Sequence, residues 1–320
     1  MDLSAALHRL LAAPFGHAVK TPFSRPNPIP VRPVHWNVVS AKSERPRWGQ
    51  HFLRDRGVLD RIASTLAVQP GEWVVEIGPG RGDLTERLLS RGARVLAVEI
   101  DDQLVEHLKN RFRDSTAIEV IHGDILNVNL GELIASRSGQ TSSQTSGHTS
   151  GQRLEVTGNL PYYITSPIIR RIFGVQAQVS TALLLVQKEV ADRIVAVKGT
   201  RDYAYLSVLC QLHAESKTLF SVPPNAFQPP PKVTSALVQL KMRDGLGPDP
   251  DFLRFLQLCF RQPRKMLRNN LSGAFDREAL GALEVTRCRA QQLAIEELRA
   301  LWDALRPGHP PPAPALMDRS

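Results

Sequence analysis

The chain predicts an α/β fold, a doubly wound parallel sheet followed by a small helical domain. Three observations carry that expectation. Short β-branched runs alternate with amphipathic segments between residues 48 and 241. A glycine turn, Gly78-Pro79-Gly80-Arg81-Gly82, follows the first apolar run directly, and such sheets bind ligands at the carboxyl ends of their strands. From residue 250 to 306 the apolar spacing becomes helical.

The elements follow in order. Residues 58–66 read as an amphipathic helix, 73–77 as a buried strand, and 84–89 as the helix that leaves the glycine turn. A second strand covers 94–99 and a second helix 104–112. A third strand, 118–121, ends at Gly123-Asp124. A fourth, 154–158, runs into Asn159-Leu160-Pro161-Tyr162; a fifth covers 181–186, and 235–241 is a late strand. Farther on, Phe252, Phe255, Leu256, Cys259 and Phe260 make one helical stripe. Leu293, Ile295, Leu298, Leu301, Trp302 and Leu305 make another.

This divides the chain into a basic, Pro-rich extension (1–44), a sheet domain (45–242), a helical domain (243–306) and a Pro-rich tail (307–320). Residues 136–152, rich in Ser, Thr, Gly and Gln, cannot bury a core and read as a disordered surface insert. The extension has one acid, Asp2, before Glu44. It reads as a disordered arm, an over-extended gene start or a transit peptide.

At 320 residues and 42% hydrophobic, the chain can bury a core in two domains. A net charge of +9 points to a polyanionic partner. Three cysteines, with no C-x-x-C spacing, read as reduced thiols in a cytosolic-type compartment without a metal site. A transit peptide would instead place the protein in an organelle. No apolar run is long enough to span a membrane, and no membrane partner is expected.

The strand ends carry the candidate chemistry. Gly78 and Gly80 permit a close backbone approach to a ligand. Glu99 ends the second strand about 20 residues farther on, where a carboxylate can accept both ribose hydroxyls of a nucleoside. Asp124 ends the third and is placed to accept from an adenine amine. These residues alone also allow NAD. The tetrad Asn159 to Tyr162 argues for S-adenosylmethionine, because a dehydrogenase has no use for it. An Asn oxygen and a nearby main-chain carbonyl can accept both hydrogens of an exocyclic amine, and an aromatic ring gives the base a face. Those bonds favour a more tetrahedral nitrogen, whose lone pair then points at the methyl sulfonium. Positioning and electrostatics carry the catalysis, and no catalytic histidine is assigned.

A base in a duplex cannot reach such a pocket and must be taken from a loop or flipped out. Phe227, just before Pro229-Pro230-Pro231, is the candidate for a second stacking face; the competing reading is a core anchor. Arg261, Arg264, Lys265 and Arg268 form an acid-free cluster suited to RNA phosphates, or else a solvated helix face. Lys188 and Arg193 either extend that surface or pair with neighbouring acids.

These residues resemble the KsgA-type small-subunit rRNA adenine dimethyltransferases. The resemblance runs from Trp48 to Leu271. It rests on Gly49-Gln50-His51-Phe52-Leu53, the turn at Gly78, the Asn159 tetrad, the 185–190 segment, the Phe227 to Val233 segment with Ser235-Ala236, and the segment from Arg264 to Leu271. It implies a Rossmann-like methyltransferase domain with a helical C-terminal domain. It also implies dimethylation of two adjacent adenines in the 3′-terminal hairpin of 16S rRNA, during biogenesis of the small ribosomal subunit; a monomer is expected. Carried over by position, Gln50, His51, Leu53, Gly78, Gly80, Glu99, Asp124 and Asn159 line the S-adenosylmethionine site. Asn159, Leu160, Pro161, Tyr162 and Phe227 hold the adenine, and the segment from Gly49 closes over the cofactor. Trp48 stands where the family usually has Phe, and Ala204 where it usually has Gly. The alternatives are a resistance-type 23S rRNA methyltransferase, a DNA adenine methyltransferase, an assembly factor acting mainly by binding, and an organellar transcription-factor relative.

Overall fold

The apolar runs at 73–77, 94–99 and 154–159 are buried nearly throughout, as strands covered on both faces must be. In the computed structural model, which describes residues 50–138, 153–245 and 247–306, they form the middle of a seven-stranded sheet. The expectations for the N-terminal extension, Trp48, Gly49, insert residues 139–152 and the tail lie outside the described residues. Two compact units form. Of the described residues, one holds those up to Val197 and from Leu206 to Pro248, and the other holds Lys198–Tyr205 and those from Asp249 on.

The strands of the first unit are β1 (Phe52–Leu53), β2 (Trp73–Ile77), β3 (Arg94–Glu99), β4 (Ile118–His122), β5 (Leu154–Asn159), β6 (Val179–Gln187), β7 (Ala214–Val222), β8 (Phe227–Gln228) and β9 (Ser235–Met242). The large sheet runs β4-β3-β2-β5-β6-β9-β7. Strands β2 to β6 pair in parallel. The fully parallel expectation is corrected at one edge, where β9 pairs antiparallel with both β6 and β7. No crossover helix lies between β7 and β9, and antiparallel neighbours need none.

Helices α1 (Arg56–Thr65), α2 (Asp83–Ser90), α3 (Asp102–Arg111), α4 (Leu130–Ser138), α5 (Thr165–Phe173), α6 (Lys188–Val195) and α7 (Tyr205–His213) accompany the sheet. Asp55 caps α1 through Val58 N–H, and Asp101 caps α3 through the amides of Gln103 and Leu104. Helix α4 includes residues 136–138, the first part of the expected insert.

The winding direction reverses between β2 and β5, and that reversal opens a crevice at their carboxyl ends. The register sets Ile77 opposite Gly158. A Cβ on Gly158 would sit 2.4 Å from the Ile77 carbonyl oxygen. Glycine there brings the two strand ends, with the glycine turn and the tetrad, into contact distance.

The second unit contains α8 (Pro250–Cys259), α9 (Leu267–Leu271), α10 (Arg277–Ala282) and α11 (Ile295–Leu305). Phe252, Phe255, Leu256 and Cys259 of α8 are buried, as are Leu298 and Leu301 of α11. The Phe255 and Trp302 rings lie 5.3 Å apart. Among the described residues no helix is long and apolar enough to cross a membrane.

Candidate cofactor and base cleft

The carboxyl ends of β2, β3, β4 and β5 open into one cleft of about 100 Å³. Gln50, His51, Gly78, Gly80, Glu99, Asp124 and Asn159 line it, as do Leu160, Pro161 and Tyr162. Leu53 lines a narrower arm that shares Gly78, Gly80 and Asn159. Segment 50–55 crosses the glycine turn. A Cβ on Gly80 would stand 3.0 Å from the Phe52 ring, and the Arg81 guanidinium lies 4.7 Å over that ring. Antiparallel pairing of β1 with β8 and the bond from Arg54 N–H to the Ala226 carbonyl (2.8 Å) anchor the crossing.

Asn159 donates from Nδ2 to the His51 carbonyl oxygen at 2.8 Å. A carbonyl only accepts, so the amide orientation is set and Oδ1 is the end left to accept. Tyr162 is tied at its hydroxyl to Ser235 Oγ (3.1 Å) and stacks with His51 at 5.9 Å between centroids.

The structure places Phe227 in the core instead of at the cleft. It is 4% exposed and belongs to the cluster that includes Leu53, Leu185 and Leu237. Pairing of β8 with β1 sets it opposite Leu53, which corrects the expectation of a second stacking face in favour of the core anchor.

The family model described as ribosomal RNA adenine dimethylase matches residues 41–302. This chain belongs to the ribosomal RNA adenine dimethylase family. It is 40% identical over 278 residues to ribosomal RNA small subunit methyltransferase A of Koribacter versatilis, covering 84% of this chain and 97% of that one. The protein of the same name from Acidobacterium capsulatum is 40% identical over 271 residues, covering 82% and 91%. A dimethyladenosine transferase from Plasmodium falciparum shares the fold, with a TM-score of 0.61 at 24% identity over 78% of this chain and 95% of that one. The 23S rRNA methyltransferase ErmE superimposes with a TM-score of 0.53 at 26% identity, covering 79% and 99%.

The dimethylase family is S-adenosylmethionine-dependent, and the cleft has the donor set for that cofactor. Two carboxylates end adjacent strands, and apolar Ile77, Val98 and Ile125 face the same space. Glu99 is 4% exposed and accepts from the amides of Gly80 (3.0 Å), Ile100 (2.9 Å) and Asp101 (3.1 Å). Those donors take three of its roughly four acceptor positions. One remains for a ribose hydroxyl, and accepting from both would release an amide. Burial pushes its pKa up, and the backbone amides oppose that. Asp124 accepts from Leu126 N–H at 2.9 Å and from Asn127 Nδ2 at 3.1 Å.

Sequence reasoning passed over two dimethylase residues at the cleft. Tyr163 lines it and is 64% exposed. Glu76 lines the narrower arm, is 2% exposed, and accepts from Thr85 Oγ1 at 2.6 Å. Its signal was a charged residue inside the otherwise apolar run 73–77. Burial, with the charges of Glu99 and Asp83 adding, raises its pKa to about 7 against the Thr85 bond. A raised carboxyl holds its proton longer in the folded state, so its contribution to stability is full below about 4.5 and is lost as pH rises through about 7. The difference in unfolding free energy between wild type and Glu76→Gln should therefore shift by roughly 3 kcal/mol across that window. Denaturant titrations at pH 4.5 and 8 check it. A pH-independent difference would rule out Glu76 as the titrating group.

In the helical unit, Arg261, Arg264, Lys265 and Arg268 are exposed, and among the described residues none pairs with an acid. They lie mostly in the connection between α8 and α9. Buried Asn270 fixes that connection by donating from Nδ2 to the carbonyls of Cys259 (2.8 Å) and Gln262 (3.1 Å). The bond from Leu267 N–H to the Cys288 carbonyl (2.8 Å) brings exposed Arg287 and Arg289 beside the cluster, a neighbourhood that the sequence separation concealed. Lys188 and Arg193 pair with Asp192 and Glu189. His122 pairs with Asp102, and buried His213 stacks on Phe173, its pKa lowered by burial to about 4.

Proposed function

We propose that this protein dimethylates the exocyclic amines of two adjacent adenines in the 3′-terminal hairpin of 16S rRNA, in the small subunit or its precursor, as a cytoplasmic monomer. The observation that carries this reading is the Asn159 amide, whose Nδ2 donates to the His51 carbonyl so that Oδ1 is the end left to accept, in a residue that lines the cleft with Tyr162. The two relatives at 40% identity, both named for the small subunit, favour it over the 23S reading. S-adenosylmethionine, when bound, supplies an electrophilic methyl on a sulfonium. Asn159 Oδ1 accepts one amine hydrogen and a main-chain carbonyl of the tetrad accepts the other. The Tyr162 ring carries the base, its hydroxyl anchored by Ser235. Gly78, Gly80, Glu99 and Asp124 hold the cofactor. The cluster from Arg261 to Arg268, with Arg287 and Arg289, grips phosphates.

Incorporation of labelled methyl into undermethylated small subunits and, in parallel, into large-subunit RNA tests the reading. Label in the small subunit alone is expected; label only in large-subunit RNA would contradict it. Replacing Arg261, Arg264 and Arg268 by Ala should weaken RNA binding and flatten its salt dependence by about 0.7–0.9 for each phosphate no longer neutralised. The turnover at saturating RNA should change little. An unchanged salt slope would remove the cluster from the RNA interface.

A further inference from the structure

We propose that His51 is a positioning residue for the target base, joining segment 50–53 to both walls of the base pocket. This rests on the reading of the cleft as an adenine methyltransferase site. His51 makes three contacts with two distant parts of the chain, the 159–162 tetrad and Pro229. Its carbonyl accepts from Asn159 Nδ2 at 2.8 Å. Its ring stacks on Tyr162 with an interplanar angle of 25°. Its Nδ1 lies 2.8 Å from the Pro229 carbonyl oxygen. That oxygen can only accept, so Nδ1 carries the hydrogen and donates.

Each of these has a consequence for the base. An Asn amide turns readily between two orientations related by a half-turn. The flipped one would aim an N–H donor at the amine's own hydrogens. The His51 carbonyl blocks that orientation, because it would then face the Asn159 oxygen. The carbonyl stays in place only if the backbone of residue 51 is held, and the Nδ1 bond to the Pro229 carbonyl holds it from the side chain. The stacked imidazole also supports the Tyr162 ring, whose hydroxyl is fixed by Ser235 on β9. Segment 50–53 and the base pocket are thus assembled together.

The test uses three variants of the full chain. His51→Phe keeps a ring and loses the donor, His51→Asn keeps a short donor and loses the ring, and His51→Ala loses both. All three keep the carbonyl. In single-turnover methyl transfer to undermethylated small subunits, His51→Ala should be slower by on the order of 10²-fold, with Phe and Asn intermediate. Because His51 also lines the cofactor cleft, the dissociation constant of S-adenosylmethionine is read by equilibrium dialysis for each variant and the rates are compared at saturating cofactor, where the loss should persist. Hydrogen exchange without cofactor or RNA reads the tether independently of any activity. Amides of 50–55 and 159–163 should lose protection together in His51→Ala, at an unchanged melting temperature, and recover partly in the other two. Equal rate loss in all three variants, weakened cofactor binding with an unchanged rate, or unaltered exchange in both segments would overturn the proposal. If wild type methylates neither subunit's RNA, the functional reading fails, and the exchange data still decide the tether.

Discussion

Replacing Asn159 by Ala is expected to lower methyl transfer by about 10²–10³-fold, the scale for removing one preorganised polar group at the reacting centre. Asn159 sits at the end of β5, and its Nδ2 bond to the His51 carbonyl leaves Oδ1 as the end that accepts. Alanine deletes the acceptor and leaves the glycine turn, Glu99 and Asp124 in place. The loss should therefore fall on the rate, with cofactor affinity altered far less. Asn159→Asp keeps an acceptor and loses the N–H that fixes its orientation, so it should retain more activity than Asn159→Ala. Single-turnover rates beside cofactor dissociation constants check this. A loss confined to cofactor affinity would show that Asn159 serves the cofactor and not the amine.

Replacing Gly158 by Ala is expected to destabilise the fold by roughly 3 kcal/mol or more, as for overpacking that the backbone cannot relieve. The new Cβ would lie 2.4 Å from the Ile77 carbonyl oxygen and 3.2 Å from the Ile77 Cβ. Neither belongs to a flexible side-chain end, so β2 and β5 must separate at the point where the cleft begins. Chemical denaturation reads the stability, and cofactor binding should weaken in the same variant. A substitution tolerated within about 0.5 kcal/mol, the usual range for a neutral surface change, would contradict the close approach of the two strands.

Much of the cleft was legible because polar residues at the ends of apolar strands have few structural reasons to be there. Glu99, Asp124 and Asn159 were found in that way, and the parallel register brings their strand ends together. Glu76 was equally visible in its apolar run, but its role waited on Thr85, which only the docking of α2 brings within reach. Strand β7 escaped notice because it is an edge strand whose Ser216 and Thr218 stand where an alternating strand would carry apolar residues, on the face opposite exposed Glu215 and Lys217. The direction of Phe227 could not be read, since a shift of one residue in a two-residue strand turns the ring from cleft to core. The bond from Leu267 N–H to the Cys288 carbonyl, which adds Arg287 and Arg289 to the basic surface, is a tertiary interaction with no local signal.

The most direct measurement maps the modified positions. Undermethylated small subunits are incubated with the protein and S-adenosylmethionine, and the 16S rRNA is read by primer extension, with the Asn159→Ala variant in parallel. Dimethyladenine is expected at two neighbouring positions of the 3′-terminal hairpin with the wild-type chain, and at early times far less of it with the variant. Stops elsewhere in the RNA, or equal stops with both proteins, would contradict the account.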